Sequence, residues 1–201
     1  MSDKKVYYQV LHSDYLRNHV LIWWARLQGN KDLLNKLEWL GNKTTLSRGV
    51  RAELRRCHTV DEVFLTEGFR LLWMPLSAHE EGFPGDMVAW ATVVAVLADV
   101  RTNSDMPFAT ALGSQKEQTG KPYVSELRFS QLQKSADADS FLRRARRSVA
   151  LLGQTAAVLS LADNTLHWHR EKQGLYAAKP THRLAVRWAT DYFTAMAKYQ
   201  K

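Results

Sequence analysis

Cysteine is nearly absent from this sequence of 201 residues, in which Cys57 is the single example. One cysteine cannot form an internal disulfide, and without a second thiolate it is a poor basis for a structural zinc site. We therefore expect a reduced, cytosolic protein.

Long apolar runs are also missing. The longest, Met87 to Ala98, is well short of the roughly eighteen residues that a membrane span requires, and it is better explained as a buried helix. The start of the chain has neither the long apolar segment nor the cleavage site of a secretion signal. We expect no membrane attachment. Hydrophobic residues make up 45% of the chain, enough for a substantial core.

Catalytic motifs are lacking as well. The sequence contains no glycine-rich phosphate loop, no nucleophile elbow and no paired carboxylates with catalytic spacing. His167 and His169 are two positions apart, which on a helix directs them to different faces and gives poor metal geometry. Asp137 and Asp139 precede a helix, so we expect them to cap it. The sequence thus predicts a protein that is not an enzyme and has no metal site and no cofactor.

Positive charge is plentiful, with a formal net charge of +8. Residues 1–103 hold 13 Lys and Arg against 12 Asp and Glu, whereas residues 104–201 hold 15 against 8. The excess is therefore +1 in the first half and +7 in the second. Because the surplus of positive charge is concentrated in one half of the chain, it indicates a surface that binds an anionic partner. Charge that served only solubility would be spread over the whole protein.

Helical patterns run through almost the whole chain, and no alternating strand pattern of useful length is present. Thr59 and Glu62 have the spacing of a capping box, and Asp86 is placed to cap the apolar helix after it. The polar stretch 102–123 contains one short helical piece and otherwise resembles a linker or mobile loop. The predicted helices cover residues 6–27, 32–40, 46–57, from about 60, 87–101, 108–113, 124–134, 140–152, 155–170 and 181–198.

These elements predict an all-α fold of two helical-bundle lobes joined by a polar connection. The N-terminal helical lobe would comprise residues 1–103. The basic C-terminal lobe would comprise residues 104–201.

The segment from Phe141 to Leu152 contains four arginines within five positions. At about 100° per residue, its apolar side chains share an arc of roughly 100°, and the arginines occupy the other side over roughly 160°. No acid lies on the arginine side, so salt bridges one turn apart cannot neutralise it. Arginine also suits forked contacts to phosphate. We therefore expect Arg143, Arg144, Arg146 and Arg147 to bind nucleic acid.

A second basic cluster and scattered cations extend this prediction. Arg48, Arg51 and Arg55 are three and four positions apart, with Arg56 adjacent and Glu53 as the local acid. The complete set of candidate nucleic-acid-binding residues is Arg48, Arg51, Arg55, Arg56, Lys121, Arg128, Lys134, Arg143, Arg144, Arg146 and Arg147.

Three alternatives compete with this interpretation. A basic helix face is often only solvated surface. A helical transcriptional regulator would read duplex DNA through a recognition helix, with strong base preference. A purely structural scaffold would use the same arginines to contact acidic protein surfaces.

An ordered series of segments runs along the chain: RGVRAELRR (48–56), GFRLLWMPL (68–76), FATALG (108–113), SELRFSQLQKSADADSFLRRARRSVALL (125–152), LADNTLHWH (161–169) and RWATDYF (187–193). In this order the segments resemble the CasB family, the small subunit of the type I-E CRISPR interference complex Cascade. The resemblance extends from about Leu46 to the C-terminus, whereas residues 28–45 look like extra or divergent sequence. Gln133 stands at a position that is often basic in the family, and Lys134 follows it.

The resemblance implies an all-helical, non-catalytic subunit, two copies of which stack within a ribonucleoprotein. Its partners would be the guide RNA, the target and displaced non-target DNA, the large and backbone subunits, and a second copy of itself. The arginines that match the family pattern are Arg51, Arg55, Arg56, Arg128, Arg143, Arg144 and Arg147.

Overall fold

The computed structural model describes residues 8–37, 45–79 and 85–200. Within these ranges it contains eleven α-helices, one 3-10 helix and two strands of two residues, and 64% of the structure is helical, which confirms the all-α prediction. The α-helices are α1 (Asp14–Gln28), α2 (Lys31–Lys36), α3 (Arg48–Arg56), α4 (Val60–Phe64), α5 (Glu67–Ser77), α6 (Met87–Leu97), α7 (Phe108–Gly113), α8 (Glu126–Gln133), α9 (Ala138–Leu151), α10 (Val158–Lys172) and α11 (Leu184–Met196).

Side-chain caps begin several of these helices where the sequence predicts them. The Asp86 carboxylate accepts the Ala89 N–H at 3.0 Å and starts α6. The Thr59 hydroxyl accepts the Glu62 N–H at 3.4 Å and starts α4. The Glu62 carboxylate in turn accepts the N–H of His58 at 2.6 Å, one residue before the expected partner. Each cap pairs a backbone donor that the first helical turn leaves without a partner.

Helices α6 and α10 occupy the centre of the protein. Every residue from 89 to 97 of α6 is buried, and so is every residue from 161 to 169 of α10. A helix that is apolar on all sides is stable only when surrounded, and α6 contacts α3, α4, α5, α9 and α10. The Trp24 indole of α1 donates to the Val100 carbonyl at 2.9 Å and fixes the chain just after α6.

The stretch 102–123, predicted to be mostly linker, contributes to the core. Strand β1 (Thr102–Asn103) pairs in parallel with β2 (Thr155–Ala156), which joins the chain after α6 to the chain after α9. Helix α7 lies on α11 with Phe108 fully buried. A Cβ at Gly113 would lie 2.3 Å from the Tyr192 carbonyl oxygen, so only glycine permits this close approach.

Several predicted helix boundaries are wrong. Helix α1 begins at Asp14 rather than residue 6, because the Ser13 hydroxyl accepts the Tyr15 N–H and starts the helix there. Helix α2 begins at Lys31 rather than residue 32, because the Asn30 side chain accepts the Leu33 N–H and caps the helix there. Residues 155–156 form β2 before α10 begins, and the last predicted helix divides into a 3-10 turn (Pro180–His182) and α11. Residues 6–7 and 38–40 of the predicted helices lie outside the described ranges.

One hydrophobic cluster contains residues from both halves of the chain. Helix α6, from the proposed first lobe, packs on α9 and α10 of the second. The division into lobes at residue 103 therefore stays a prediction. In the described ranges, every helix is too short or too polar to cross a bilayer.

Candidate nucleic-acid interface

Helix α9 carries the four neighbouring arginines. Asp137 caps it, accepting the Ser140 N–H at 2.7 Å, while the Ser140 hydroxyl accepts the Asp137 N–H. Hydrogen bonds from Ser140, assisted by the charges of Arg143 and Arg144, lower the pKa of Asp137. Arg143 and Arg147 are exposed on the side of α9 that faces away from the core, as the apolar periodicity predicts.

Arg146, in contrast, points inward, and its side chain is only 15% exposed. Burial lowers its pKa, an effect that the nearby Asp99 carboxylate opposes. The guanidinium donates to the Leu54 carbonyl at 2.7 Å, to the Ala95 carbonyl at 3.0 Å and to the Cys57 carbonyl. Leu54 and Ala95 lie in the last turns of α3 and α6, where the negative end of the helix dipole favours a cation.

Asp99 supplies the counterion that the sequence did not reveal. One carboxylate oxygen lies 2.9 Å from Nε of Arg55, and the other lies 3.2 Å from Nε of Arg146. No acid lies one turn away from Arg146 on α9, but a carboxylate from a distant part of the chain neutralises it together with Arg55. The shared carboxylate holds the C-terminal end of α3 beside the middle of α9, which brings the two predicted basic clusters together.

Arg144 connects α9 to α8. It is half-buried, and its Nη1 donates to the Gln131 carbonyl at 2.9 Å and to the Ser135 hydroxyl at 3.1 Å. One edge of its guanidinium is therefore used to position the end of α8. The other N–H groups of the Arg144 guanidinium remain able to bind an anion beside Arg143 and Arg147.

The remaining arginines of α3 differ in their surroundings. Arg48 is exposed in the first turn, and Arg56 is exposed in the last turn, where it donates to the carbonyl of Ala52 in its own helix at 3.2 Å. Arg51 is half-buried and donates to the Gln28 side chain at 2.8 Å. Arg51 thus helps to hold α3 against the end of α1.

Arg128 and Lys134 are exposed at opposite ends of α8. Phe129 stacks on Tyr192 with ring centroids 4.0 Å apart, which anchors α8 to α11. Gln133 donates to the Ala185 carbonyl at 3.1 Å, so it is Lys134 that presents a charge to solvent.

Lys121 lies on a different element, a tight hairpin closed by a bridge between Gln115 and Pro122. The backbone N–H of Tyr123 donates to the Ser114 carbonyl at 3.0 Å, which ties the hairpin to the end of α7. Among the described residues, no hydrogen bond connects this hairpin to α3 or α9. The hydrogen bonds therefore do not link Lys121 to the two arginine clusters.

Six of the candidate cations form no side-chain hydrogen bond or ion pair with the described residues. Cations without a protein counterion can bind an anion without first breaking an internal contact. These six are Arg48, Lys121, Arg128, Lys134, Arg143 and Arg147.

The helical wheel of α9 distinguishes the two exposed arginines from the two that contact neighbouring helices. Taking about 100° per residue, Arg143 and Arg147 lie roughly 150–170° from the middle of the apolar arc. Arg146 and Arg144 lie only roughly 90° and 110° from it, on its two borders. A long side chain at a border can turn to a neighbouring helix, and both do.

The described residues contain no group of three or more His, Cys, Asp or Glu side chains that could hold a metal ion. His169 contacts the Thr92 hydroxyl at 3.0 Å, and His167 pairs with Glu171 at 3.1 Å. Both histidines are buried, and they point to different neighbours.

Comparison with known proteins found one family. The family described as CRISPR-associated protein Cse2 matches residues 50–193, which includes α9, α8 and most of α3. No curated protein and no solved structure matches the chain. The match covers well over half of the 201 residues and does not favour the regulator alternative. The chain belongs to the Cse2 (CasB) family, the small subunits of the type I-E Cascade complex.

Proposed function

We propose that this subunit holds the nucleic acids of Cascade through their phosphate backbones, stabilising the guide RNA, the target DNA and the displaced strand. The observation that carries the proposal is the position of Arg143 and Arg147, exposed one turn apart on α9 with no protein counterion in the described chain. Side chains one turn apart have Cβ atoms about 6 Å apart, close to the spacing of adjacent phosphates along a strand.

The chemistry favours contact with the backbone rather than with the bases. A guanidinium group donates two parallel hydrogen bonds to a phosphate and remains charged at any physiological pH. The exposed side of α9 between Arg143 and Arg147 offers no Asn or Gln that could read a base edge. The sequence would be read by guide–target pairing, and this subunit would lower the cost of keeping the strands apart.

Nearby cations extend this surface. Arg56 lies at the end of α3 that Asp99 holds beside α9, and Lys134 lies at the end of α8 that Arg144 contacts. Arg48, Arg51, Arg55, Arg128 and Lys121 would add contacts along the path of a longer strand. Arg146 belongs to the interior of this surface, where it supports α9 without contacting the strand.

The family supplies the setting, since Cse2 proteins are structural subunits of Cascade. In the proposal the chain catalyses no reaction. Its protein partners would be the large subunit, the backbone subunits and a second copy of itself.

The test is the salt dependence of single-stranded DNA binding by the Arg143→Ala/Arg147→Ala double variant. Each phosphate contact contributes about −0.7 to the slope of log affinity against log salt for a single strand. Loss of both contacts should flatten the slope by about 1.4 and weaken binding to unrelated sequences equally. Fluorescence anisotropy at several salt concentrations measures both effects.

A matched control removes the same charge elsewhere. Lys31→Ala/Lys36→Ala deletes two exposed cations of α2 and should leave the slope nearly unchanged. If the α9 variant folds and keeps the parent's slope and affinity, the proposal is wrong. Marked base preference would favour a sequence-reading regulator, and a parent Cascade assembly that survives nuclease digestion would favour a protein-only scaffold.

A further inference from the structure

Asp99 lies between two arginines of unequal exposure. One of its carboxylate oxygens is 2.9 Å from Nε of Arg55, and the other is 3.2 Å from Nε of Arg146. The Arg146 side chain is 15% exposed and the Asp99 side chain 18%, whereas the Arg55 side chain is 36% exposed. The carboxylate and Arg146 therefore form the inner part of this group, and Arg55 forms the part that faces solvent.

The charges of these three side chains do not cancel. One carboxylate cannot neutralise two guanidinium groups, so one positive charge is left over. An unpaired charge costs far more in the interior than at the surface, so the carboxylate is needed first by the buried Arg146. The surplus positive charge therefore lies on Arg55, although Arg55 has an acidic neighbour.

The contact with Asp99 occupies only the Nε group among the N–H donors of Arg55. Within the described residues, the two Nη groups of Arg55 form no hydrogen bond or ion pair. Those two groups are the end of a guanidinium that can donate two parallel hydrogen bonds to a phosphate. Arg51 on the same helix differs, because its Nη1 donates to the Gln28 side chain. Asp99 thus fixes Arg55 while leaving its phosphate-binding end available.

The backbone that carries Asp99 is itself firmly held. The Asp99 N–H donates to the Val96 carbonyl at 3.2 Å, at the end of α6. The next residue, Val100, is fully buried, and its carbonyl accepts the Trp24 indole at 2.9 Å. A carboxylate on a fixed backbone can restrict a long side chain before it binds. Without such a contact, an arginine loses its rotamer freedom only when the ligand arrives, which weakens binding.

We propose that Asp99 is a positioning residue for nucleic-acid binding, which holds Arg55 so that its two Nη groups contact a phosphate. The proposal rests on the backbone-binding function proposed above and extends it to an acidic residue. An acid beside a basic surface normally weakens binding to a polyanion through charge repulsion. Asp99 acts in the opposite direction, because Arg146 offsets its charge and because Arg55 is already immobilised.

Single-stranded DNA binding by the Asp99→Asn variant of the full chain tests this role. The amide offers one acceptor oxygen instead of two, and the buried Arg146 retains it because water does not replace it there. Arg55 is then released, and affinity should fall about twofold to tenfold although the protein loses a negative charge. Glu53→Gln is the matched control, since it removes one exposed acid from α3 and should leave affinity equal or slightly higher.

A double-mutant cycle separates positioning from a loss of structure. Arg55→Ala alone should weaken binding and flatten the salt slope by about 0.7. In the Arg55→Ala background, Asp99→Asn should cause no further loss, whereas a merely structural effect would weaken binding in both backgrounds. Circular dichroism identifies any variant that fails to fold.

Arg55→Lys gives a second readout that leaves the interior intact. Lysine keeps the charge, but its single ammonium group cannot contact Asp99 and a phosphate through opposite ends. Affinity should therefore fall while the salt slope stays near that of the parent. Full affinity of this variant would contradict the proposal even if Asp99→Asn did not fold.

The remaining outcomes distinguish this proposal from the one for α9. Parent affinity or better for Asp99→Asn, an equal loss in both backgrounds, or full affinity of Arg55→Ala would each overturn the role of Asp99. If Arg143→Ala/Arg147→Ala binds weakly and Asp99→Asn binds normally, only that role is wrong. If the α9 variant binds normally while Arg55→Ala and Asp99→Asn both bind weakly, the α9 proposal is wrong and the role of Asp99 stands.

Discussion

Replacing Arg146 with alanine should destabilise the fold far more than replacing its neighbour Arg147. The Arg146 guanidinium donates to carbonyls at the ends of α3 and α6 and pairs with Asp99, at 15% side-chain exposure. Removing one partner of a buried pair costs about 3–5 kcal/mol, because the other charge stays buried. Here Arg55 still neutralises Asp99, which offsets part of that loss. Three carbonyls nevertheless lose a hydrogen-bond donor, so we expect the free energy of unfolding to fall by about 3 kcal/mol.

Urea denaturation followed by tryptophan fluorescence measures this difference. Arg147→Ala, on the same helix but exposed, should change the free energy of unfolding by less than about 0.5 kcal/mol. Arg146→Lys keeps the charge but cannot reach several acceptors at once, so it should recover only a small part of the loss. Equal stability of the Arg146→Ala and Arg147→Ala variants would refute the inward role of Arg146.

Three further outcomes follow from the packing and the buried histidine. Gly113→Ala should cost at least about 1–3 kcal/mol, because its Cβ would lie 2.3 Å from the Tyr192 carbonyl oxygen; an unchanged melting temperature would contradict the close approach of α7 and α11. Phe129→Ala removes the ring stacked on Tyr192 and should cost about 3–5 kcal/mol in urea denaturation, with a neutral result contradicting that packing. Burial lowers the pKa of His169 to about 4 from 6.5, so the unfolded chain binds the proton first as the pH falls. Stability should drop by about 3 kcal/mol between those two values, and His169→Gln should reduce that dependence in urea titrations; an unaltered dependence would mean that His169 is not the group responsible.

Local features of the chain were predictable from the sequence. The run that forms α6 is apolar on every side of the helix, so the helix is stable only when other elements surround it. Asp86 and Thr59 cap helices because a short polar side chain pairs the first backbone donors within a few residues. The FATALG helix has the predicted bounds, 108–113. The outward positions of Arg143 and Arg147 follow from helical periodicity alone, since they lie opposite the apolar side chains of α9.

The roles of the border arginines and the position of the segment before α1 depended on the tertiary structure. Arg146 turns inward because Asp99, 47 positions earlier, and carbonyls at the ends of two helices meet it there. The segment before α1 lies against α10 because the Asp163 carboxylate accepts the backbone N–H groups of Gln9 and Val10. Periodicity states which side of a helix a residue occupies, whereas the charge and hydrogen-bonding groups that face that side come from segments distant in the sequence. The sequence therefore determined the helices and their polarity, and the packing decided which charges remain available to a partner.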